Sequence, residues 1–192
     1  MYISKTVSEA MKRVDRKDFV GQVHEPSAYV DAPLPIGYGQ TISQPTTVGI
    51  MLTMLELAPG MKVLEVGSGS GWVVALISHI VGNSGEVIGV ERIPKLVELG
   101  KKNIEKYCRD KNVAIYNTEK EIGYQPRGPY DRIIVSASST SLPTELVYQL
   151  KTEGIMIIPI LYSIWKVMKK SDDPEDIIKQ EYPGFVFVPL VY

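Results

Sequence analysis

One stretch limits the possible folds of this chain more than any other: Lys62-Val63-Leu64-Glu65-Val66-Gly67-Ser68-Gly69-Ser70-Gly71-Trp72. Val63, Leu64 and Val66 form a short apolar run, as expected for a strand covered on both faces of a parallel sheet. Three glycines at alternate positions follow, so the backbone can turn sharply and approach a ligand closely. Residues 72–81 then predict a helix whose free N–H groups and positive dipole end point back at the turn. A tight strand-to-helix turn also tolerates glycine for steric reasons alone, and G-x-G-x-G is not the dinucleotide fingerprint G-x-G-x-x-G. The next segment adds weight. Residues 86–90, Glu-Val-Ile-Gly-Val, predict a second strand ending in Glu91. An acidic residue about 20 positions beyond the loop, at a strand tip, is placed to accept hydrogen bonds from two ribose hydroxyls; a solvated strand end is the plainer alternative.

A strand of the type V-L-E-V-G-x-G-x-G followed by an acidic strand end resembles the cofactor site of class I S-adenosylmethionine-dependent methyltransferases, over residues 63–137. That resemblance implies a cofactor but no substrate.

Composition narrows the remaining classes. With 192 residues, one domain is expected, able to bury its own core. We divide it into a covering arm with its helices (1–60), a cofactor core (61–161) and C-terminal strands (162–192). A net charge of −1 gives no basis for general nucleic-acid binding. There is no run of 18 apolar residues, and residues 1–14 lack the apolar block of a signal peptide. The single cysteine, Cys108, fits a reducing cytoplasm and reads as a packing residue rather than a nucleophile. The two histidines, His24 and His79, have no clustered cysteines or carboxylates near them in sequence, so neither a zinc site nor a Ser-His-Asp triad is expected.

Along the chain, Val7, Met11 and Val14 recur at helical spacing after a possible N-cap, Ser4, predicting a helix over 4–16. Residues 21–39 are irregular, because Pro26, Pro33 and Pro35 exclude a central strand or long helix. Residues 46–57 predict a second helix with Val48, Met51, Leu52 and Leu55 on its apolar face. On the residues alone, Ser43 and its polar neighbours cap that helix. Further on, residues 94–109 predict an amphipathic helix, with Lys101, Lys102, Glu105 and Lys106 on its wet side. Strands are predicted at 113–116, 132–136, 155–161, 163–170 and 185–191, and a helix at 143–150. The result is an α/β fold: a doubly wound, mainly parallel Rossmann-like sheet with an antiparallel C-terminal edge and an N-terminal helical, irregular arm.

The arm carries a second resemblance. Leu34-Pro35-Ile36-Gly37-Tyr38-Gly39-Gln40-Thr41-Ile42-Ser43-Gln44-Pro45 closely resembles the signature of protein L-isoaspartyl (D-aspartyl) O-methyltransferases. Asp18-Phe19-Val20, Ala28-Tyr29-Val30-Asp31, the run from Pro129 to Val135 and Phe187-Val188-Pro189-Leu190-Val191 fit the same pattern. The resemblance implies transfer of a methyl group from S-adenosyl-L-methionine to the α-carboxylate of L-isoaspartyl residues in damaged proteins, leaving S-adenosyl-L-homocysteine. It implies that Ser43 hydrogen-bonds the incoming carboxylate, and that Gly67, Ser68, Gly69 and Gly71 face the methionine part of the cofactor. Glu91 would hold the ribose, Gln40, Thr41 and Ile42 would close over cofactor and substrate, and Glu65, Arg92 and Glu119 would complete the cofactor site. Val188, Pro189 and Leu190 would offer backbone groups to the isoaspartyl peptide. A carboxylate acceptor needs no general base, which agrees with the scarcity of histidine. Three stretches depart from the family pattern: Thr118-Glu119-Lys120 replaces Gly-Asp-Gly, Ser138-Ser139 stands where small alanines are usual, and the run Pro159-Ile160-Leu161 with Ile164-Trp165 (within Leu161–Trp165) replaces Pro-Val-Gly and a glutamine. They leave open a paralogue that methylates a small molecule or RNA.

Overall fold

After residue 60, strand and helix alternate, and the chain winds into a central sheet. The computed structural model describes residues 2–191 except 109–111 and 120. In chain order the elements are α1 (Lys5–Arg13), β1 (Leu34–Gly37), β2 (Gln40–Ile42), α2 (Pro45–Met54), β3 (Lys62–Val66), α3 (Trp72–Val81) and β4 (Glu86–Glu91). They continue with α4 (Pro94–Cys108), β5 (Asn112–Asn117), β6 (Tyr130–Val135), α5 (Thr144–Tyr148), β7 (Leu150–Ile160), β8 (Ser163–Lys169) and β9 (Ile177–Pro183). The end of the fourth predicted helix, Arg109, lies outside the described residues, as does Lys120.

The large sheet has the order β5-β4-β3-β6-β7-β8-β9. Its first five strands are parallel and the β7-β8-β9 edge is antiparallel. Strand order reverses between β3 and β6, which opens a crevice at their C-terminal ends, the usual ligand position in such sheets. Period-two alternation splits the core. Val63, Val87, Ile115, Ile134 and Ile157 pack with α1, α2, α3 and α4, while Leu64, Val66, Ile88, Ile133 and Met156 pack with α5 on the opposite face. Val63 and Leu64 are fully buried, and each such side chain stabilises the fold by roughly 1.5–3 kcal/mol. Among the described residues no helix is long and apolar enough to cross a membrane.

Two expectations need correction. The last strand is not 185–191 but β9, a charged stretch paired with β8 over seven positions. Most of its side chains are exposed, so it is held by backbone pairing rather than by an apolar face, and hydrophobic patterning could not mark it. Residues beyond Gly184 run as an irregular tail whose one ladder contact joins Pro189 to Ser138. The second correction concerns α2. Its start is capped from a distance by Asp31, whose Oδ1 accepts from the Thr46 N–H (2.9 Å) and whose Oδ2 accepts from the Thr46 hydroxyl (2.8 Å) and Gln44 Nε2 (3.0 Å). Ser43 is left out of that cap.

Candidate active site

The glycine turn sits at the crevice. The Gly67 and Ser68 N–H groups donate to the Val90 carbonyl (2.9 and 3.0 Å), which ties the turn to the end of β4. Gly69 and Gly71 have positive φ (50° and 90°), a region that side chains disfavour. They also face different neighbours. A Cβ on Gly69 would lie 3.0 Å from Ile36 Cδ1 in β1, whereas one on Gly71 would lie 2.9 Å from Ile104 Cγ2 and 3.1 Å from the Gly100 carbonyl in α4. The first glycine lets the arm close on the turn; the second lets α4 pack under it.

Glu91 is 7% exposed. Its Oε2 accepts from the Gly69 N–H (3.1 Å) and its Oε1 from the Ile93 N–H (2.9 Å), so the strand-end carboxylate also fixes the turn. Glu65 is buried deeper, at 1% exposure. By strand alternation it shares the face of Val63, beneath the start of α3. Its Oε1 accepts from the Ser136 hydroxyl (2.9 Å), while Oε2 has no hydrogen-bond partner. Burial pushes the Glu65 carboxyl up to about 8; the Ser136 hydroxyl opposes the rise, Glu91 adds to it, and the Val74 N–H lends weak support to the charged form. The buried Ser68 and Ser70 hydroxyls are likewise without partners.

The arm is anchored by a residue the sequence did not single out for this purpose. Arg16, 4% exposed, donates to the carbonyls of Ala28 (2.6 Å), Ala32 (2.9 Å) and Ser43 (3.1 Å). Its guanidinium lies 5.4 Å from the centroid of the Trp72 ring. Burial lowers its pKa, and the Asp31 charge opposes the shift. One cation thereby gathers three turns of an irregular segment and sets the backbone at Ser43.

Three neighbouring spaces that share lining residues result. The central chamber is lined by Ile36, Thr41, Ile42, Ser43, Glu65, the segment Gly67 to Ser70, Trp72, Val73 and Ser136. Outward past Gly67 it meets a space lined by Gln40, Glu91, Arg92, Thr118, Glu121, Ile122, Pro189 and Leu190, among others. On the other side, Thr41, Ser43 and Ser136 also line a cavity of about 300 Å³ walled by Pro33, Gln44, Thr47, Val186, Phe187 and Val188. No formally charged side chain lines that cavity.

The chain has clear relatives. The family model described as "Protein-L-isoaspartate(D-aspartate) O-methyltransferase (PCMT)" matches residues 1–192. This chain belongs to that family. A protein-L-isoaspartate O-methyltransferase from Methanothrix thermoacetophila is 44% identical over 190 residues, covering 99% of this chain and 90% of the relative. One from Pyrococcus horikoshii is 45% identical over 193 residues, covering 98% of this chain and 86% of the relative. A Plasmodium falciparum crystal structure, assigned as a protein-L-isoaspartate O-methyltransferase and solved with S-adenosyl-L-homocysteine, superposes with a TM-score of 0.84 at 29% identity, covering 97% of this chain and 90% of that one.

The family's cofactor is S-adenosyl-L-methionine, and the residues present fit it. Buried but unpartnered oxygens on Glu65, Ser68 and Ser70, beside a second carboxylate at Glu91, suit a ligand that carries positive charge and hydrogen-bond donors. Of the residues expected at the site, Gln40, Thr41, Ile42, Ser43, Glu65, Gly67, Ser68, Gly69, Glu91 and Arg92 come together around the neighbouring spaces. Gly71 does not line them; it serves the α3–α4 packing. Glu119 is exposed and lines none of the three, since the chain after β5 presents Thr118 and Glu121 instead. Val188, Pro189 and Leu190 do flank the cleft, but the Val188 carbonyl and the Leu190 N–H are engaged with Ser138 (both 2.8 Å). That edge of the tail is therefore already paired, and only its opposite edge is open to further backbone pairing. Sequence reading missed Ser136 as a partner of Glu65, because only the β3–β6 register, Val66 opposite Val135, brings them together. Among the described residues no group of three or more His, Cys, Asp or Glu side chains could hold a metal ion.

Proposed function

We propose that this protein transfers a methyl group from S-adenosyl-L-methionine to the α-carboxylate of L-isoaspartyl residues in damaged proteins, with Ser43 aiming that carboxylate. The supporting observation is positional: Ser43 and Thr41 line both the polar chamber against the glycine turn and the uncharged cavity beside the tail. When bound, the cofactor supplies an electrophilic methyl group on a sulfonium. The rest of the chemistry is placement. An acceptor carboxylate is ionised at neutral pH, so no residue need remove a proton. The Ser43 hydroxyl donates to it and fixes its angle, and its own backbone is held by Arg16. Glu91 and the turn backbone hold the ribose side, and Gln40, Thr41 and Ile42 cover the junction and exclude water.

The described residues of the stretches that depart from the family pattern do not line the acceptor cavity. Thr118 lines the outer space only, and Leu161 sits in an exposed turn whose N–H donates to the Ser139 carbonyl (3.0 Å). They reshape the rim and leave the cavity beside Ser43 intact, which weakens the case for a small-molecule or RNA acceptor. Isoaspartyl proteins and peptides are then the partners, and a cytoplasmic setting belongs to the same reading, resting on a sequence with one cysteine, Cys108. The test is methyl transfer to paired peptides that differ only in isoaspartyl or aspartyl linkage. Transfer to the isoaspartyl peptide alone is expected, and equal transfer to both would defeat the proposal. Ser43→Ala should lower turnover roughly 10- to 100-fold, about 1.4–2.7 kcal/mol, with cofactor affinity unchanged.

A further inference from the structure

Glu65 is placed oddly for a strand residue. It is a carboxyl at 1% exposure in the middle of the sheet, with one oxygen bonded to Ser136 and the other unpartnered, and it lines the central chamber. No cationic side chain lines that chamber. The charged groups around Glu65 can be named by element. Glu91 on β4 repels it; Ser136 after β6 and the Val74 N–H in α3 favour its charged form. Arg16 stacks on the Trp72 ring, and its two terminal nitrogens donate to three arm carbonyls, while its buried Nε has no partner. An isolated buried carboxylate is costly, and without a countercharge the group keeps its proton.

We propose that Glu65 is a proton-linked countercharge for the methyl donor: a neutral acid while the cleft holds no cation, it releases its proton to solvent when a positively charged donor enters. The O–H bond of the Glu65 carboxyl breaks, the electron pair stays on the carboxylate, and the buffer takes the proton. The inference rests on the cleft taking the donor and is independent of the acceptor. It makes donor recognition depend on charge as well as shape. Because the ligand-free carboxyl titrates at about 8, affinity should climb with pH until that value and then level off.

The test is calorimetric titration of the full-length protein with S-adenosyl-L-methionine at pH 7, in buffers of different ionisation enthalpy. The donor's own amino group also titrates near 7.7–8.0, so wild type is read against Glu65→Gln. We expect wild type to release close to one proton more per donor bound than Glu65→Gln, and the difference to vanish at pH 9.5. Wild-type affinity should rise by up to tenfold per pH unit between pH 6 and 8, relative to the variant. A second variant covers the case in which Glu65→Gln does not fold. Ser136→Ala removes a bond that favours the charged form, so the plateau should move to higher pH. Binding with the same proton count in wild type and Glu65→Gln, or an unmoved plateau in Ser136→Ala, overturns the proposal and leaves the donor assignment standing. Absence of binding at every pH overturns both.

Discussion

The turn after β3 and the arm before α2 meet at Gly69 and Ile36, yet they are built by opposite means. The turn is assembled from neighbours in sequence: Gly67, Ser68, Gly69 and Glu91 bond one another and the end of β4 within about one βαβ unit. The arm has little regular structure and is held by distant partners: Arg16 to Ala28, Ala32 and Ser43, Asp31 to Gln44 and Thr46, and Asp18 to Lys106 and Tyr107. Local chemistry thus makes the glycine turn, the proposed cofactor cradle, and side chains acting across the chain hold the arm, the proposed acceptor cover. A fault in the cradle should therefore cost global stability and donor binding together. A fault in the arm should cost turnover and local order first.

The largest expected effect tests the cradle. Burial raises the Glu65 carboxyl from its ordinary 4.5 to about 8 in the folded protein. The neutral acid is favoured in the folded state, so its contribution to stability is fully present below pH 4.5 and is lost as pH rises through 8. Urea unfolding of the ligand-free protein should show wild type losing on the order of a few kcal/mol relative to Glu65→Gln between pH 4 and pH 9. Parallel curves would mean that Glu65 gains a partner absent from the described residues.

Arg16→Met comes next and addresses the arm. It keeps apolar length beside Trp72 but strands three carbonyls, a cost of about 3 kcal/mol. Limited proteolysis should cut residues 21–44 sooner, and turnover should fall further than donor affinity. If donor affinity fell as far as turnover, the two regions would not be separable in this way. Gly71→Ala should destabilise by about 2 kcal/mol through its positive φ and its contact with α4, seen as a lower urea midpoint with the arm's protease resistance unchanged. The smallest effect is Asp31→Ala, the loss of a helix cap at about 1 kcal/mol. Hydrogen bonds from the Thr46 N–H, Gln44 and the Thr46 hydroxyl hold the Asp31 pKa below its ordinary value. Its contribution is therefore present above pH 3.8 and fades as pH falls through the folded value, so wild type and variant should converge in acid.

Most of the cradle was legible in the sequence because each of its signals is short. An apolar run, alternate glycines and an acid at the next strand end are set by backbone sterics and by the length of one crossover, and β3, α3, β4 and Glu91 fall where those rules put them. The apolar face of α2, with Val48, Met51, Leu52 and Leu55 all buried, is legible for the same reason. Other features were not legible. β9 carries Lys179, Gln180 and Glu181 where a buried strand would carry apolar residues, because an edge strand needs only one partner and no covered face. Arg16 reads as one more charge in Val14-Asp15-Arg16-Lys17, and nothing local distinguishes a guanidinium that will reach three carbonyls from one that will face water.

By itself, then, the sequence determined the strand-turn-helix at the crevice, the alternation that makes the sheet, and the signature that marks the family. Only the tertiary structure decided that Glu65 meets Ser136, that Asp31 rather than Ser43 caps α2, and that Ser43 lines both the polar chamber and the uncharged cavity. The reason is physical. Periodicity and glycine sterics act over a few bonds along the chain, whereas the burial of a charge and the partner of a lone hydroxyl depend on strand register and on segments that are far apart in sequence.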